Sequence, residues 1–335
     1  MADEKKKSRP KAFRVIGIIL AVALVLFAGF SIISHTVYHR SNMATAAELL
    51  FRIQGTKDKF SDPQKAAEYI AERAEAEEYI LDASKLKSSV SETQVNGSRV
   101  YTLTSTDAPE YLVLYLHGGA YINDASAYHW KLCDRLAREL GAEIVFPIYP
   151  LTPNHTWDET YALVTEVYRD MVENAAVPVI IMGDSAGGGL AAAFCEYLAT
   201  TGLPQPDRLI LFSPWMDISM ANPEAAGYEP VDPMLSAYGL VEMGRSWAGD
   251  LPMEDYRVSP IYGDISVLRN VTLFVGTREI FYPDVTAFYG MLQAQGIEAE
   301  LYIGEGMNHV YPVYPIPEAD TAFEQITAAI RRGYA

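Results

Sequence analysis

The stretch IIMGDSAGGGLAAA, residues 180–193, places one serine between an apolar run and a group of glycines. Gly183 and Gly187 stand two residues before and two residues after Ser185, which is the spacing of a G-x-S-x-G turn. Between a strand and a helix, such a turn holds its serine in strained backbone geometry, and the two glycines let neighbouring backbone pass closely. The pattern predicts that Ser185 is a nucleophile at the carboxyl end of a buried strand.

Two other roles for these glycines involve phosphate. A phosphate-binding P-loop requires Lys followed by Ser or Thr after its last glycine, whereas Leu190 follows Gly189 here. A dinucleotide fingerprint requires a second glycine where Ser185 stands. Close packing of the following helix is the remaining alternative, and it applies best to Gly188 and Gly189.

The segments around this turn repeat a strand, a turn and a helix. Short and almost wholly apolar strands that alternate with amphipathic helices are typical of a mostly parallel sheet with helices on both faces. A hairpin is predicted at Asn96-Gly97, ahead of the repeat. The alternation fails between Asp217 and Pro260, so residues 217–258 and 45–85 are predicted to form a cap over the site. We therefore expect one large α/β catalytic domain over residues 45–335.

The N-terminus differs in composition from the rest of the chain. Val15 to Ile33 is a run of nineteen residues without a charge, long enough as a helix for a bilayer core of about 30 Å. The preceding residues 1–14 are basic, which by the positive-inside rule predicts a cytoplasmic tail, a transmembrane anchor over 15–34 and an extracytoplasmic domain. A cleaved signal peptide is the alternative, with Ala44-Thr45-Ala46 as its cleavage site.

Charge separates the two parts of the chain. Beyond residue 40 there are 19 basic and 41 acidic residues, a net charge of −22. Such a domain does not attract nucleic acid and is repelled by anionic lipid, which leaves neutral or cationic substrates. Cys133 and Cys195 are too few for a disulfide framework, and we expect buried free thiols.

A second glycine turn provides candidate oxyanion donors. His117-Gly118-Gly119-Ala120 follows an apolar strand, so its amides lie at the same sheet edge as the serine. We expect Gly118 and Gly119, with the amide of Ala186, to form the oxyanion hole. His117 is expected to support this turn, and a plain glycine turn is the alternative.

One of six histidines fits the role of general base. His309 comes after the last predicted strand, and it alone follows both the serine and an acid, in the chain order Ser, acid, His. The others are juxtamembrane, belong to the glycine turn, lie on an amphipathic helix at its surface or core edge, or open a loop: His35, His39, His117, His129 and His155.

Two acids follow the strand VTLFVG, and the sequence leaves the choice open. Glu279 stands on a short turn just past the strand, within reach of a histidine on the next loop. Asp284 stands where the next helix begins, and a capping role explains it. Glu279 is the first candidate and Asp284 the second for the group that orients the imidazole.

Five motifs together resemble the hormone-sensitive-lipase-type esterases of the α/β-hydrolase superfamily. They are HGGAY, YPLTP, GDSAGG, SPWMD and GMNH, spread over roughly residues 95–332. The resemblance implies an eight-stranded sheet, a Ser/His/acid triad, a helical cap and no cofactor or metal. It also implies that Asp184 contributes hydrogen bonds to the site. The chain departs from the family pattern at Glu279, where the family often carries Asp, and at Ala120, where it carries a third glycine.

The sequence thus predicts a serine carboxylic-ester hydrolase for small to medium acyl esters, working through an acyl-enzyme. A lipase, or a glycan or xenobiotic deacetylase, is the alternative with the same fold, and peptide-bond cleavage lacks an identifiable subsite for an amine terminus. A non-catalytic binding protein on a hydrolase frame is the alternative from another class. The expected partners are a small ester and, through the N-terminal helix, a membrane.

Overall fold

The computed structural model describes residues 11–332, and within that range the chain builds one mixed sheet of eight strands. The spatial order is β1-β2-β4-β3-β5-β6-β7-β8. Strand β2 pairs antiparallel with both β1 and β4, and the remaining pairs in this order are parallel. The strands are β1 (Ser89–Val95), β2 (Ser98–Thr104), β3 (Tyr111–Leu116), β4 (Ala142–Pro147), β5 (Val179–Asp184), β6 (Arg208–Phe212), β7 (Val271–Gly276) and β8 (Ala299–Gly304).

Ten α-helices lie in the described range. They are α1 (Lys11–Thr36), α2 (Asn42–Ile53), α3 (Pro63–Ala74), α4 (Ala127–Leu140), α5 (Trp157–Glu173), α6 (Ser185–Thr201), α7 (Ala225–Tyr228), α8 (Ala237–Ala248), α9 (Tyr282–Ala294) and α10 (Pro317–Arg331). The α/β-hydrolase fold that the sequence predicts is confirmed. Most of the basic tail expected over residues 1–14 lies outside the described residues.

The sheet is covered on both faces. Side chains along β3 alternate between the two cores: Leu114 and Leu116 belong to the core with α5, α6 and α9, and Val113 and Tyr115 to the core with α4 and α10. Both faces of the strand are therefore apolar, which explains the continuous apolar run in its sequence. The free thiols of Cys133 and Cys195 are buried in these cores, as expected.

The strand order fixes where a ligand can bind. From β3 the chain crosses to β4 on one side, and then returns to place β5 on the other side of β3. In open α/β sheets, ligands bind beyond the carboxyl ends of the strands at such a reversal. The register pairs Leu116 with Gly183, so the turn after β3 and the turn after β5 lie side by side.

The predicted hairpin is present between β1 and β2. Asn96 and Gly97 have φ values of +49° and +82°, the left-handed pair that a two-residue type I′ turn requires. The Asn96-Gly97 turn therefore accounts for the antiparallel pairing of β1 and β2 at this edge of the sheet.

Helix α1 has the length and composition of a membrane span. Val15–Thr36 is a stretch of 22 residues with a mean hydropathy of 2.9, and none of its most apolar window is buried against the rest of the protein. Its length is about 33 Å at 1.5 Å per residue. A signal sequence has the same length and composition. The helix by itself therefore identifies a hydrophobic segment and does not distinguish a retained anchor from a cleaved signal sequence.

One buried carboxyl group on α6 has no hydrogen-bond partner among the described residues. The side chain of Glu196 is 4% exposed, and neither of its carboxyl oxygens has a hydrogen-bond partner in the described part of the chain. Burial, with a smaller contribution from Asp264, raises the pKa of Glu196 to about 9. This side chain is therefore neutral at pH 7, because a buried unpaired charge costs far more than protonation.

Replacing Glu196 by Gln should remove a pH-dependent loss of stability. The folded-state pKa lies above the unfolded value, so the folded protein holds the proton more tightly. Stability then falls by about 1.4 kcal/mol per pH unit as the pH rises from the unfolded to the folded pKa. We expect the stability advantage of Glu196→Gln over the wild type to be about 2–4 kcal/mol larger at pH 8 than at pH 5.

Denaturant unfolding at both pH values measures this difference. Glu324→Gln, on the exposed face of α10, is the matched control and should follow the wild type at both pH values. Parallel pH profiles for Glu196→Gln and the wild type would show that Glu196 is charged in the folded state.

Candidate active site

Ser185 lies in the turn between β5 and α6, in a conformation that few residues adopt. Its φ is +53°, which costs a non-glycine residue on the order of 1–2 kcal/mol. A Cβ on Gly183 would overlap the carbonyl of Gly187, and a Cβ on Gly187 would overlap the carbonyl of Leu116. The two glycines are therefore required by close backbone contact on both sides of the serine, as the spacing predicts.

Three side chains from three loops form one hydrogen-bonded chain. The distance from Ser185 Oγ to His309 Nε2 is 2.8 Å, and that from His309 Nδ1 to Glu279 Oε2 is 2.6 Å. A carboxylate only accepts, so Nδ1 carries the proton and Nε2 is free to accept from the serine hydroxyl. His309 is 3% exposed and Glu279 is fully buried.

The acid and the histidine loop are held by a residue to which the sequence assigned no role. Ser213 Oγ donates to Glu279 Oε1 at 2.7 Å and accepts from the amide of Val310 at 2.9 Å. The amide of Gly276 also donates to Glu279 Oε1, at 2.5 Å. Ser213 opens the SPWMD motif, which was the only available signal for it. The carboxylate is thus fixed by two donors besides the imidazole.

The carboxylate sets the basicity of the imidazole. Burial alone lowers the pKa of a histidine, but the charge and the hydrogen bond of Glu279 outweigh burial and raise the pKa of His309. A base with a raised pKa accepts a proton from serine more readily. The arrangement can therefore deprotonate Ser185 as it attacks an electrophile.

Asp284 does not join this chain of hydrogen bonds. It lies in the first turn of α9, where its Oδ1 accepts from Asn222 Nδ2 at 2.7 Å, and it makes no hydrogen bond to His309. The helix cap expected of it is also absent, since Phe281 occupies the N-cap position and no side chain caps that end. Burial raises the pKa of Asp284 to about 6. The structure places Glu279 at the imidazole and Asp284 beside Asn222.

The turn after β3 requires a correction to the expected oxyanion donors. The amide of Gly118 donates to Asp184 Oδ1 at 3.0 Å, so it is occupied and does not point to a substrate. The amides of Gly119, Ala120 and Ala186 have no acceptor among residues 11–332. Ala120 has a φ of +53°, which reorients the backbone immediately after Gly119. The free amides are thus one residue further along this turn than the sequence predicts.

Asp184 connects the nucleophile turn to the glycine turn. Its carboxylate accepts from Tyr115 Oη at 2.9 Å, from the amide of Gly118, and from His129 Nε2 at 3.1 Å. Burial opposes its charge, but the proximity and hydrogen bond of His129, with those of Tyr115 and Gly118, outweigh burial and lower the pKa of Asp184. These three hydrogen bonds are the contacts that Asp184 makes at the site, where the family resemblance implies a hydrogen-bonding role for it.

Two histidines support the same turn. The amphipathic pattern predicts a surface or core-edge place for His129, but the structure buries it: its Nδ1 accepts from the amide of Ser126 while its Nε2 faces Asp184. His117 Nδ1 donates to the carbonyl of Gly118 at 2.8 Å, and its ring stacks on Tyr149. Burial and the nearby His129 lower the pKa of His117 to about 4, so it is a neutral donor.

A cavity of about 330 Å³ opens beside Ser185 and His309. Its floor is the glycine turn with Ser185, and its walls are mostly apolar. Those wall residues come from α2, α8 and the segments around them, and include Phe51, Phe60, Met234, Leu235, Leu240 and Met243. The volume lies at the lower end of the range for small-molecule sites, roughly 300–1,000 Å³.

Known proteins are similar to this chain in sequence and in fold. The family described as alpha/beta hydrolase fold matches residues 113–313. A triacylglycerol lipase of Mycobacterium tuberculosis is 30% identical over 198 residues, which make up 58% of this chain and 41% of that relative, so the chain spans less than half of its length. An esterase of Acinetobacter venetianus is 27% identical over 235 residues, 69% of this chain and 78% of the relative.

Solved structures agree with these sequence relatives. A Staphylococcus aureus protein assigned as an esterase superimposes with a TM-score of 0.78 at 30% identity, over 82% of this chain and 95% of its own. A hormone-sensitive lipase from a metagenome library superimposes with a TM-score of 0.72 at 26% identity, over 85% and 97%. The chain therefore belongs to the α/β-hydrolase family, among its hormone-sensitive-lipase-type esterases.

Proposed function

We propose that this protein is a serine hydrolase that cleaves carboxylic esters through an acyl-enzyme. The hydrogen-bonded chain from Ser185 through His309 to Glu279 carries this proposal. It supplies a nucleophile, a general base and an orienting carboxylate in one line, which is the arrangement that acyl transfer requires. Relatives named esterase, triacylglycerol lipase and acetyl-hydrolase support the same reaction class.

Acylation begins with Ser185 Oγ. The oxygen attacks the acyl carbon as His309 Nε2 takes the hydroxyl proton, and the buried Glu279 carboxylate stabilises the imidazolium that forms. The negative charge moves to the acyl oxygen, where the free amides of Gly119, Ala120 and Ala186 are our proposed donors. The start of α6 adds a favourable field there, because the positive end of its dipole lies at Ser185.

The second half returns the enzyme to its starting state. The carbon–oxygen bond of the ester breaks, and His309 gives its proton to the departing alkoxide, which leaves as the alcohol. Water then attacks the acyl carbon while His309 Nε2 takes a proton from it. Ser185 Oγ leaves the acyl carbon and recovers that proton from His309, and the carboxylic acid is released. No cofactor or metal ion enters this sequence of steps.

The cavity walls indicate an acyl group of small to medium size. The helices α2, α3, α7 and α8 lie outside the strand–helix alternation, and we assign them to the cap expected over residues 45–85 and 217–258. Side chains from α2 and α8 line the cavity, and a Cβ on Gly239 of α8 would overlap Phe60. The cap thus packs closely over an apolar space, which suits an acyl chain better than a sugar.

Helix α1 is assigned to a membrane anchor. Six Lys and Arg residues precede its apolar stretch, so we place the N-terminus in the cytoplasm and the catalytic domain on the other side. The alternative is a cleaved signal sequence.

Removal of the proposed nucleophile should abolish turnover. The full chain in detergent should hydrolyse p-nitrophenyl butyrate, and Ser185→Ala should reduce kcat by about 10⁴-fold or more, since no other group takes over the attack. Release of p-nitrophenolate measures the rate. Ser266→Ala, an exposed serine away from the cavity, is the control and should retain wild-type activity. Comparable rates for wild type and Ser185→Ala would rule out the proposed mechanism.

The acid limb of the pH profile should report on Glu279. His309 must be neutral to act as a base, so kcat/KM falls as the pH drops below its raised pKa. Glu279→Gln should lower kcat by roughly 10²–10⁴-fold. It should also move the acid limb to lower pH, because the amide no longer favours the imidazolium.

Asp284→Asn is the matched control for this change. It removes a buried carboxylate that does not contact His309, so both the rate and the acid limb should stay near the wild-type values. If Asp284→Asn loses activity and Glu279→Gln keeps it, the assignment of the acid is reversed.

A further inference from the structure

Helix α2 buries a polar face and exposes an apolar face, which is the reverse of a helix on a water-facing surface. The face turned to the catalytic domain carries Thr45 and Glu48, both buried. The face turned away is apolar, whereas a surface helix normally exposes its polar side. The exposed fractions there are 53% for Met43, 51% for Leu49, 49% for Leu50 and 73% for Ile53.

The polar face is fully used in docking α2 onto the catalytic domain. Glu48 forms ion pairs with Arg40 at 2.6 Å and with Arg278 at 2.9 Å. Burial opposes the charge on Glu48, but these two arginines outweigh burial and lower its pKa to about 2. Arg40 also donates to the carbonyl of Gly306 at 2.8 Å. These bonds fix the rotation of α2 about its axis, so the apolar face cannot turn inward.

The end of α1 fixes where this face lies. Only five residues separate Thr36, the last residue of α1, from Asn42, the first of α2. Asn42 Nδ2 donates to Ser31 Oγ at 3.1 Å, and Ser31 stands five residues, or about 7–8 Å, before the end of α1. Helix α2 therefore begins at the depth of the last turn and a half of a membrane-length helix, within the depth of about 5–10 Å at which interfacial helices bury their apolar face.

Together these observations identify what covers the exposed face. We propose that α2 is an interfacial helix whose apolar face, Met43, Leu49, Leu50 and Ile53, inserts into the bilayer leaflet that holds α1. Because Asn42 of α2 is hydrogen-bonded to Ser31 of α1, a membrane that holds α1 lies against α2. A second copy of the chain is a poorer occupant, since two domains of net charge −22 repel each other.

The same helix forms part of the substrate cavity. Phe51 of α2 lines the cavity and packs on Tyr314, with ring centroids 5.4 Å apart. One helix thus separates the acyl site from the leaflet. Resting on the esterase function proposed above, this placement assigns the substrate class: a neutral ester that partitions into the leaflet and reaches Ser185 from the membrane side.

Insertion can be measured without reference to activity. Cysteine at Ile53 and, in a second protein, at Thr200 would each carry an environment-sensitive fluorophore, in full chain reconstituted into phosphatidylcholine vesicles. The native cysteines are buried and should not label. Thr200 is exposed near the far end of α6, about 22 Å along the helix from Ser185. We expect quenching by brominated lipid at position 53 and none at 200.

Other outcomes of the probe experiment overturn the proposal. An unquenched, water-exposed probe at 53 means that α2 stays in solution. A buried probe that brominated lipid does not quench means that protein, such as a second copy, covers this face. Equal quenching at 53 and 200 also rejects a specific insertion of α2.

Two esters with the same leaving group test the substrate class. Wild type and Leu50→Gln/Ile53→Gln, in phosphatidylcholine vesicles, would be assayed with dissolved p-nitrophenyl butyrate and with p-nitrophenyl decanoate, a medium-chain ester incorporated into the vesicles. Neither substituted residue lines the cavity. We expect the double variant to lose about fivefold or more on the decanoate and less than about twofold on the butyrate.

A matched single pair controls for surface polarity. Ile53→Gln should lower the decanoate rate selectively, whereas Ile80→Gln, at a position 67% exposed in the segment before β1, should lower neither rate. A wild type that cleaves butyrate but not the vesicle ester, or a double variant that keeps both rates, overturns the leaflet-ester assignment. A wild type that cleaves neither ester overturns the proposed function itself, while the fluorescence result still decides the insertion of α2.

Discussion

The whole site depends on one close approach between two backbone segments. Where α6 leaves β5, the Cα of Gly187 lies against the carbonyl of Leu116 with no room for a side chain. This contact brings the turn after β3 beside the turn after β5, where Ser185 has a left-handed conformation. The serine, the free amides and the carboxylate of Asp184 all occupy the space that this approach defines. The two glycines are therefore a condition for the other contacts.

A second constraint is that contacts from neighbouring strand ends, and not only from its own turn, position each proposed catalytic group. Ser213, after β6, bonds to the acid that follows β7 and to the loop that follows β8. Asp184, the last residue of β5, does the same for the turn after β3 through Gly118, and for α4 through His129. The carboxylates of Glu279 and Asp184 each accept from several donors, which a buried charge requires. The result is a site held from adjacent strand ends rather than from flexible segments.

Much of this was predictable from the sequence, because strand ends in a parallel sheet meet at one edge. Apolar runs located β3, β5 and β7, and the chain order Ser, acid, His predicted that Ser185, Glu279 and His309 come together. The sequence could not show which donor takes which acceptor. Gly118 was expected to face substrate, yet Asp184 takes its amide. His129 was expected at the surface or core edge of its helix, because periodicity places a residue on a face and does not reveal a buried carboxylate opposite it. Ser213 carried no signal beyond its motif.

The burial of Arg40 has a consequence for how the mature N-terminus is defined. The small-residue site Ala44-Thr45-Ala46 lies inside α2, and two of its three residues are buried. A chain cut after Ala46 would lack Arg40 and the first half of α2, and Glu48 would keep only Arg52 and Arg278 as cationic partners. Arg278 precedes Glu279 directly, so the lost residues support the turn that carries the acid. Where the polypeptide begins is thus tied to the integrity of the catalytic domain, and a shortened form needs to retain residues 37–41 to keep it.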